Sequence, residues 1–153
     1  MSIKICVVPD TQVKPDVKTD HLLWAGKYIA EKKPDVIVQI GDHWDMESLC
    51  SYDKGKTSFE GRRYKKDIES GNKAMDLFLK PIKKEMKRLK DNKQKQWKPR
   101  FVFTMGNHEQ RIARAVEYDS ILEGTIGYED LNLKDWEVYD YLQPVVIESV
   151  AFA

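Results

Sequence analysis

Three short runs of apolar, largely β-branched residues each pass without a gap into a polar turn. This arrangement restricts the fold more than any other feature of the chain. Residues 3–9 (IKICVVP) run into Asp10-Thr11-Gln12, residues 36–40 (VIVQI) into Gly41-Asp42-His43-Trp44-Asp45, and residues 100–105 (RFVFTM) into Gly106-Asn107-His108-Glu109. Runs of this length and composition, bounded by turn residues, read as buried strands. Between the first two, Leu22, Leu23, Ala25, Gly26, Ile29 and Ala30 recur at helical spacing. Thr19 or Asp20 can cap that helix, and Lys32-Lys33-Pro34 ends it. Strand, helix, strand predicts a parallel sheet in an α/β domain. The polar turns then share the carboxyl edge of the sheet, where ligands of open α/β sheets gather.

A length of 153 residues suits one domain, taken here as residues 1–153. Residues 51–98 read as an insertion between the second and third strands. Its first part (SYDKGKTSFEGRR) has turn residues and no period. Beyond it, Tyr64, Ile68, Gly71, Met75, Phe78, Ile82, Met86 and Leu89 form one apolar stripe at helical spacing, with a kink or two abutting helices expected at Pro81. Residues 54–98 carry 16 Lys/Arg against 6 Asp/Glu, a net of +10, while the remainder carries −9. Such a basic arm is either an electrostatic footprint for phosphate-bearing polymers or a solvated helix face. Past Gln110 the sequence is helix-compatible through Val116. Residues 122–133 read as loop with short helical turns, and residues 144–152 (PVVIESVAF) as a strand. No apolar run approaches the length of a membrane span, and Cys6 and Cys50 do not make a disulfide scaffold. The expectation is a cytoplasmic protein with no membrane partner.

The three turns offer carboxylate, amide and imidazole groups. Together these suit a borderline divalent ion such as Mn, Fe or Zn. In order, VVPDTQ, GDHWD and GNHE resemble the first three motifs of the calcineurin-like metallophosphoesterases, with patterns D-x-H, G-D-x-x-D and G-N-H-E/D. The Lys-rich insertion makes phage-encoded members of that family the nearest in kind. The resemblance implies an α/β sandwich of mixed sheets flanked by helices, of which this chain would be the N-terminal portion with a long Lys-rich helical insertion. It also implies hydrolysis of phosphodiester or phosphomonoester bonds, in nucleic acid or nucleotides, by in-line attack of a metal-bound hydroxide. For a phage-encoded member the setting is the host-cell cytoplasm.

Carried over by residue, the resemblance makes Asp10 and Gln12 ligands of a first metal and Asp42 a bridge between two metals. Asn107 would bind the second metal. His108 would face the scissile phosphate, with Asp45 setting its tautomer and charge. The metals would be Mn, Fe, Zn or Mg. Gln12 stands where the family has histidine, which shifts the preference toward Mn or Mg. The family's later histidine motifs have no counterpart, since the only histidines are His21, His43 and His108. The domain is therefore expected to be C-terminally incomplete and weakly active alone, with a second chain as one source of the missing imidazoles. The alternative is a non-catalytic truncated or split half that binds nucleic acid or a partner.

Substrate contacts are expected from His43, Arg62, Arg63 and Lys65, with Tyr52 and Phe59 as base contacts. Trp44 and Trp97 read as packing residues. Arg111 and Arg114 read as partners of Glu117 or of other acids of the scaffold.

Overall fold

The three apolar runs form strands β1 (Ile5–Val8), β2 (Val36–Gln39) and β3 (Arg100–Thr104) in a computed structural model that describes residues 2–153. They pair in parallel, Ile5 opposite Val36 and Val36 opposite Arg100. A fourth strand, β4 (Glu137–Tyr139), adds to β3 in parallel, so the sheet order follows the chain. Sequence reasoning missed β4 because Glu-Val-Tyr is short and two of its three residues are exposed. Progressive order with right-handed crossovers puts every connection on one face of the sheet.

Two helices fill that face. Helix α1 (Asp20–Lys32) ends on Lys33, whose left-handed φ of 47° lets its N–H return to Ile29 O. Helix α2 (Tyr64–Asp91) runs unbroken through Pro81, so the two-helix expectation is corrected. An interior proline costs a helix about 3 kcal/mol. Here Phe78, Leu79 and Ile82, buried around it, offset that cost through packing. The helices meet closely at this turn: a Cβ on Gly26 would lie 2.2 Å from Phe78 O and 2.7 Å from Pro81 Cγ. Helix α3 (Gln110–Tyr118) follows β3.

Alternation along the strands splits the core in two. Ile37 and Phe103 face the helices with Leu22, Ile29, Phe78 and Trp136. Val36, Val38 and Val102 face the other way, against Val145 and Ile147. The last two belong to an antiparallel hairpin, β5 (Val145–Ile147) and β6 (Val150–Phe152), where a single strand was expected. Its turn residues Glu148 and Ser149 both have positive φ, 48° and 67°, as a two-residue hairpin turn of matching twist demands. Glu-Ser lacks the Asn-Gly signal that announces such turns. Among the described residues no helix is long and apolar enough to cross a membrane.

Candidate functional site at the strand ends

Backbone pairing continues past the ends of β1 and β2. The Gln12 N–H donates to Asp42 O at 2.8 Å, Val13 N–H to His43 O at 2.6 Å, and Asp45 N–H to Val13 O at 3.0 Å. Glycine then brings the third loop in. Gly41 has a φ of 89°, and a Cβ there would sit 2.4 Å from Gly106 N; a Cβ on Gly106 would sit 2.2 Å from Asp42 Oδ1. The His108 N–H donates to that same Oδ1 at 3.0 Å. Asp10, Gln12 and Asp42 have positive φ of 39°, 41° and 55°. Left-handed backbone is uncommon for these side chains and collects at functional sites.

Next to Asp42 lies a histidine–carboxylate pair. His108 Nδ1 is 2.7 Å from Asp45 O and 3.2 Å from Asp45 Oδ1. Both contacts are to acceptors, so Nδ1 carries the proton, and Nε2 has no hydrogen-bond partner among the described residues. The hydrogen bond to the Asp45 carboxylate holds the imidazole pKa above its ordinary value, against burial that lowers it. Burial pushes the Asp45 carboxyl up, but the His108 hydrogen bond and charge, with Lys14 and Arg111, outweigh it and leave the net shift downward. Arg111 braces the loop by donating to Asp45 O at 3.0 Å. It was expected to pair with an acid.

Glu109 is the residue that sequence reasoning passed over. Fully buried, its carboxylate accepts four backbone N–H groups: Asp42 at 2.9 Å, His43 at 2.7 Å, Trp44 at 3.2 Å and Gly106 at 3.0 Å. Burial pushes this carboxyl up while the N–H donors pull it back. The acid that closes the third motif therefore holds the second motif's turn in place. A motif letter shows an acid at this position but not that three of its four partners lie more than sixty residues away.

His43 is not a substrate contact. It is 1% exposed, with Nδ1 2.7 Å from Thr11 Oγ1 and Nε2 2.9 Å from Gly71 O. The chain of donors is directional. Gln39 Nε2 donates to Thr11 Oγ1 at 3.1 Å, Thr11 donates on to Nδ1, and Nε2–H donates to Gly71 O. With Thr11 as donor the ring is neutral, in keeping with burial, which lowers the His43 pKa to about 4. Trp44 is fully buried and donates to Asn72 Oδ1 at 3.1 Å, in keeping with a packing role.

Arg62 is also corrected. Its guanidinium bonds Asp53 Oδ2 at 2.9 Å and Glu47 O at 3.1 Å and lies over the Phe59 ring, so it ties the loop together instead of facing outward. Arg63 is exposed and donates to Arg62 O; Lys65 is exposed beside Glu69. Neither lines the cleft that adjoins the site.

That cleft, about 450 Å³, opens from Asn107 along one face of α3. Arg111, Arg114 and Tyr118 line one wall, and Ser48, Tyr52 and Lys54 belong to the other. Asp67, buried in α2, anchors the second wall by accepting Ser48 N–H at 3.0 Å, and burial pushes its carboxyl up. The signal for this wall was weak, since residues 51–63 have no period to read.

Asp10 and Gln12 emerge exposed from the first loop, Asp42 stands half-buried, and Asn107 is exposed at the third. Their donors are two carboxylates and two amides. Among the described residues no three His, Cys, Asp or Glu side chains gather as a metal cluster. An all-oxygen set fits a hard cation such as Mg or Mn better than a tightly held Zn.

No family model and no solved structure matches the chain. Over 83 residues, 54% of the chain, it is 34% identical to the Gene 54 protein of Mycobacterium phage D29. The matched region is 31% of that phage protein, so the chain spans about a third of its relative's length.

Proposed function

We propose that the chain is a metal-dependent phosphoesterase of the calcineurin-like kind its motifs resemble, acting on phosphodiester or phosphomonoester bonds of nucleotides or nucleic acid. The observation that carries this reading is the His108–Asp45 pair set directly beside Asp42, where three strand-end loops meet. Asp10, Gln12, Asp42 and Asn107 are the residues that would hold divalent cations. When bound, such ions supply charge neutralisation of the phosphoryl group and a more acidic water. His108 turns Nε2 to the substrate, as donor to a phosphoryl or leaving oxygen. Asp45 keeps the proton on Nδ1 and favours the charged ring. Arg114 and Lys54 suit flanking phosphates, and Tyr52 and Tyr118 suit a base or other ring along the cleft.

A second reading, a non-catalytic split half that binds nucleic acid or a partner, is favoured by the small ligand count. Under the first reading that same count makes the isolated chain slow, with a second polypeptide one source of imidazole ligands. A host-cell cytoplasm is the setting proposed for either. Turnover of bis(p-nitrophenyl) phosphate with added Mn²⁺ tests the enzyme. Slow, Mn²⁺-dependent hydrolysis abolished by Asp42→Asn supports it. Hydrolysis indifferent to Asp42→Asn, or full-rate turnover without metal, refutes it.

A further inference from the structure

Away from the strand ends, α1 and α2 enclose a groove of about 440 Å³. Leu23, Ala30, Leu77 and Pro81 give it apolar lining. Lys27, Lys80, Lys84 and Arg88 line it as well, with Glu85 the only acid. Glu85 is already neutralised, by Arg88 at 2.8 Å and Lys33 at 3.2 Å. Lys27, Lys80 and Lys84 have no acidic partner within ion-pair distance among the described residues, whereas Lys83 and Lys87 of the same helix do, Asp135 and Asp91. Lys80 and Lys84, the lysines of α2 that line the groove, are thus both without an acidic partner among the described residues.

Aromatic surface accompanies them. Trp24, 66% exposed, lies one helical turn from the groove residue Lys27, and Tyr28, 56% exposed, lies one turn beyond Trp24 with Lys32 Nζ 5.6 Å from its ring centroid. The other three tryptophans, Trp44, Trp97 and Trp136, are 0%, 9% and 7% exposed. Trp24 is thus the one tryptophan left at the surface, at the cost of the burial its three counterparts make.

We propose that this face, formed by the α1–α2 groove with Trp24 and Tyr28, binds single-stranded nucleic acid. Phosphates lie against Lys27, Lys80 and Lys84, and exposed bases stack on the two rings. Charge complementarity selects a polyanion, and the rings select one whose bases are free to stack. A duplex keeps its bases paired and offers only the phosphate attraction. An acidic peptide offers charge without flat aromatic partners. The proposal does not depend on phosphoester hydrolysis, because groove and strand-end site share no residue.

The lone exposed tryptophan is the probe. Oligothymidylate of about 15 nucleotides, within the reach of a single binding domain, is titrated into the full chain in chelator-containing buffer while emission is followed. The expected result is quenching of Trp24 fluorescence with a log affinity against log salt slope of about −2, the value for three neutralised phosphates on a single strand. Trp24→Ala and Lys80→Glu/Lys84→Glu, both exposed sites, should each weaken binding about tenfold or more with unchanged circular dichroism. The Asp42→Asn variant should bind like the parent. Unquenched Trp24, affinity unchanged by the lysine reversals, or equal binding of a duplex or of polyglutamate would each overturn the proposal.

Discussion

Glu109 Oε1 accepts the backbone N–H of His43 at 2.7 Å, joining the loop after β3 to the loop after β2 at full burial. The same carboxylate serves three further N–H groups of the two loops, so one side chain fixes the relative position of Asp42 and His108. An amide cannot replace it, because its NH2 would face donors. Glu109→Gln should destabilise the fold by about 2–4 kcal/mol, read as a lower urea midpoint at unchanged slope. A loss under about 0.5 kcal/mol, the size of an ordinary surface substitution, would show that the four contacts contribute little.

His43 predicts a pH dependence of stability. Its folded pKa lies near 4 and its ordinary value is 6.5. Between those values the unfolded chain takes up a proton that the folded one excludes, so stability falls as pH drops from 6.5 to 4 and levels below. The span is worth about 3 kcal/mol. Urea unfolding in chelator across that window should show the slope in the parent and a flatter line in His43→Gln. Parallel lines would remove His43 as its source.

Gly71 sets helix propensity against packing. Alanine in a helix interior gains about 1 kcal/mol over glycine. A Cβ at Gly71 would lie 1.9 Å from Trp44 Cδ1, and Trp44 is fully buried and hydrogen-bonded to Asn72. Packing wins: Gly71→Ala should destabilise by about 1–3 kcal/mol. A raised melting temperature would mean that Trp44 moves freely.

Asp45 raises the pKa of the His108 imidazole through its hydrogen bond. Asp45→Asn removes the charge and keeps an acceptor, so the imidazole pKa should fall relative to the parent, measured by NMR titration of the metal-free protein. An unchanged titration would assign the shift to the backbone carbonyl instead.

The parts of this fold that were legible in the sequence are those with local causes. The apolar runs gave β1, β2 and β3 because buried parallel strands are continuous apolar stretches, and Lys32-Lys33-Pro34 marked the end of α1. What escaped has distant causes. His43 looked like a site histidine because its partners Thr11 and Gly71 come from elsewhere in the chain. Arg62 looked free because Asp53 sits in a loop without a period and Glu47 lies fifteen residues back along the chain. Pro81 suggested a break that packing around Gly26 prevents. The meeting of Asp45 with His108 follows from motif resemblance, whereas the four-fold hold of Glu109 rests on backbone N–H groups that no side-chain letter encodes.

The proposed cation site draws on Asp10, Gln12, Asp42 and Asn107, beside His108. Paramagnetic broadening by Mn²⁺ in the amide NMR spectrum tests it most directly, because it locates even a weakly held ion. Saturable broadening confined to the loops around residues 10–12, 42–45 and 106–108, abolished in Asp42→Asn, is the expected result. Broadening centred on any other acidic surface, or persisting unchanged in that variant, would contradict it.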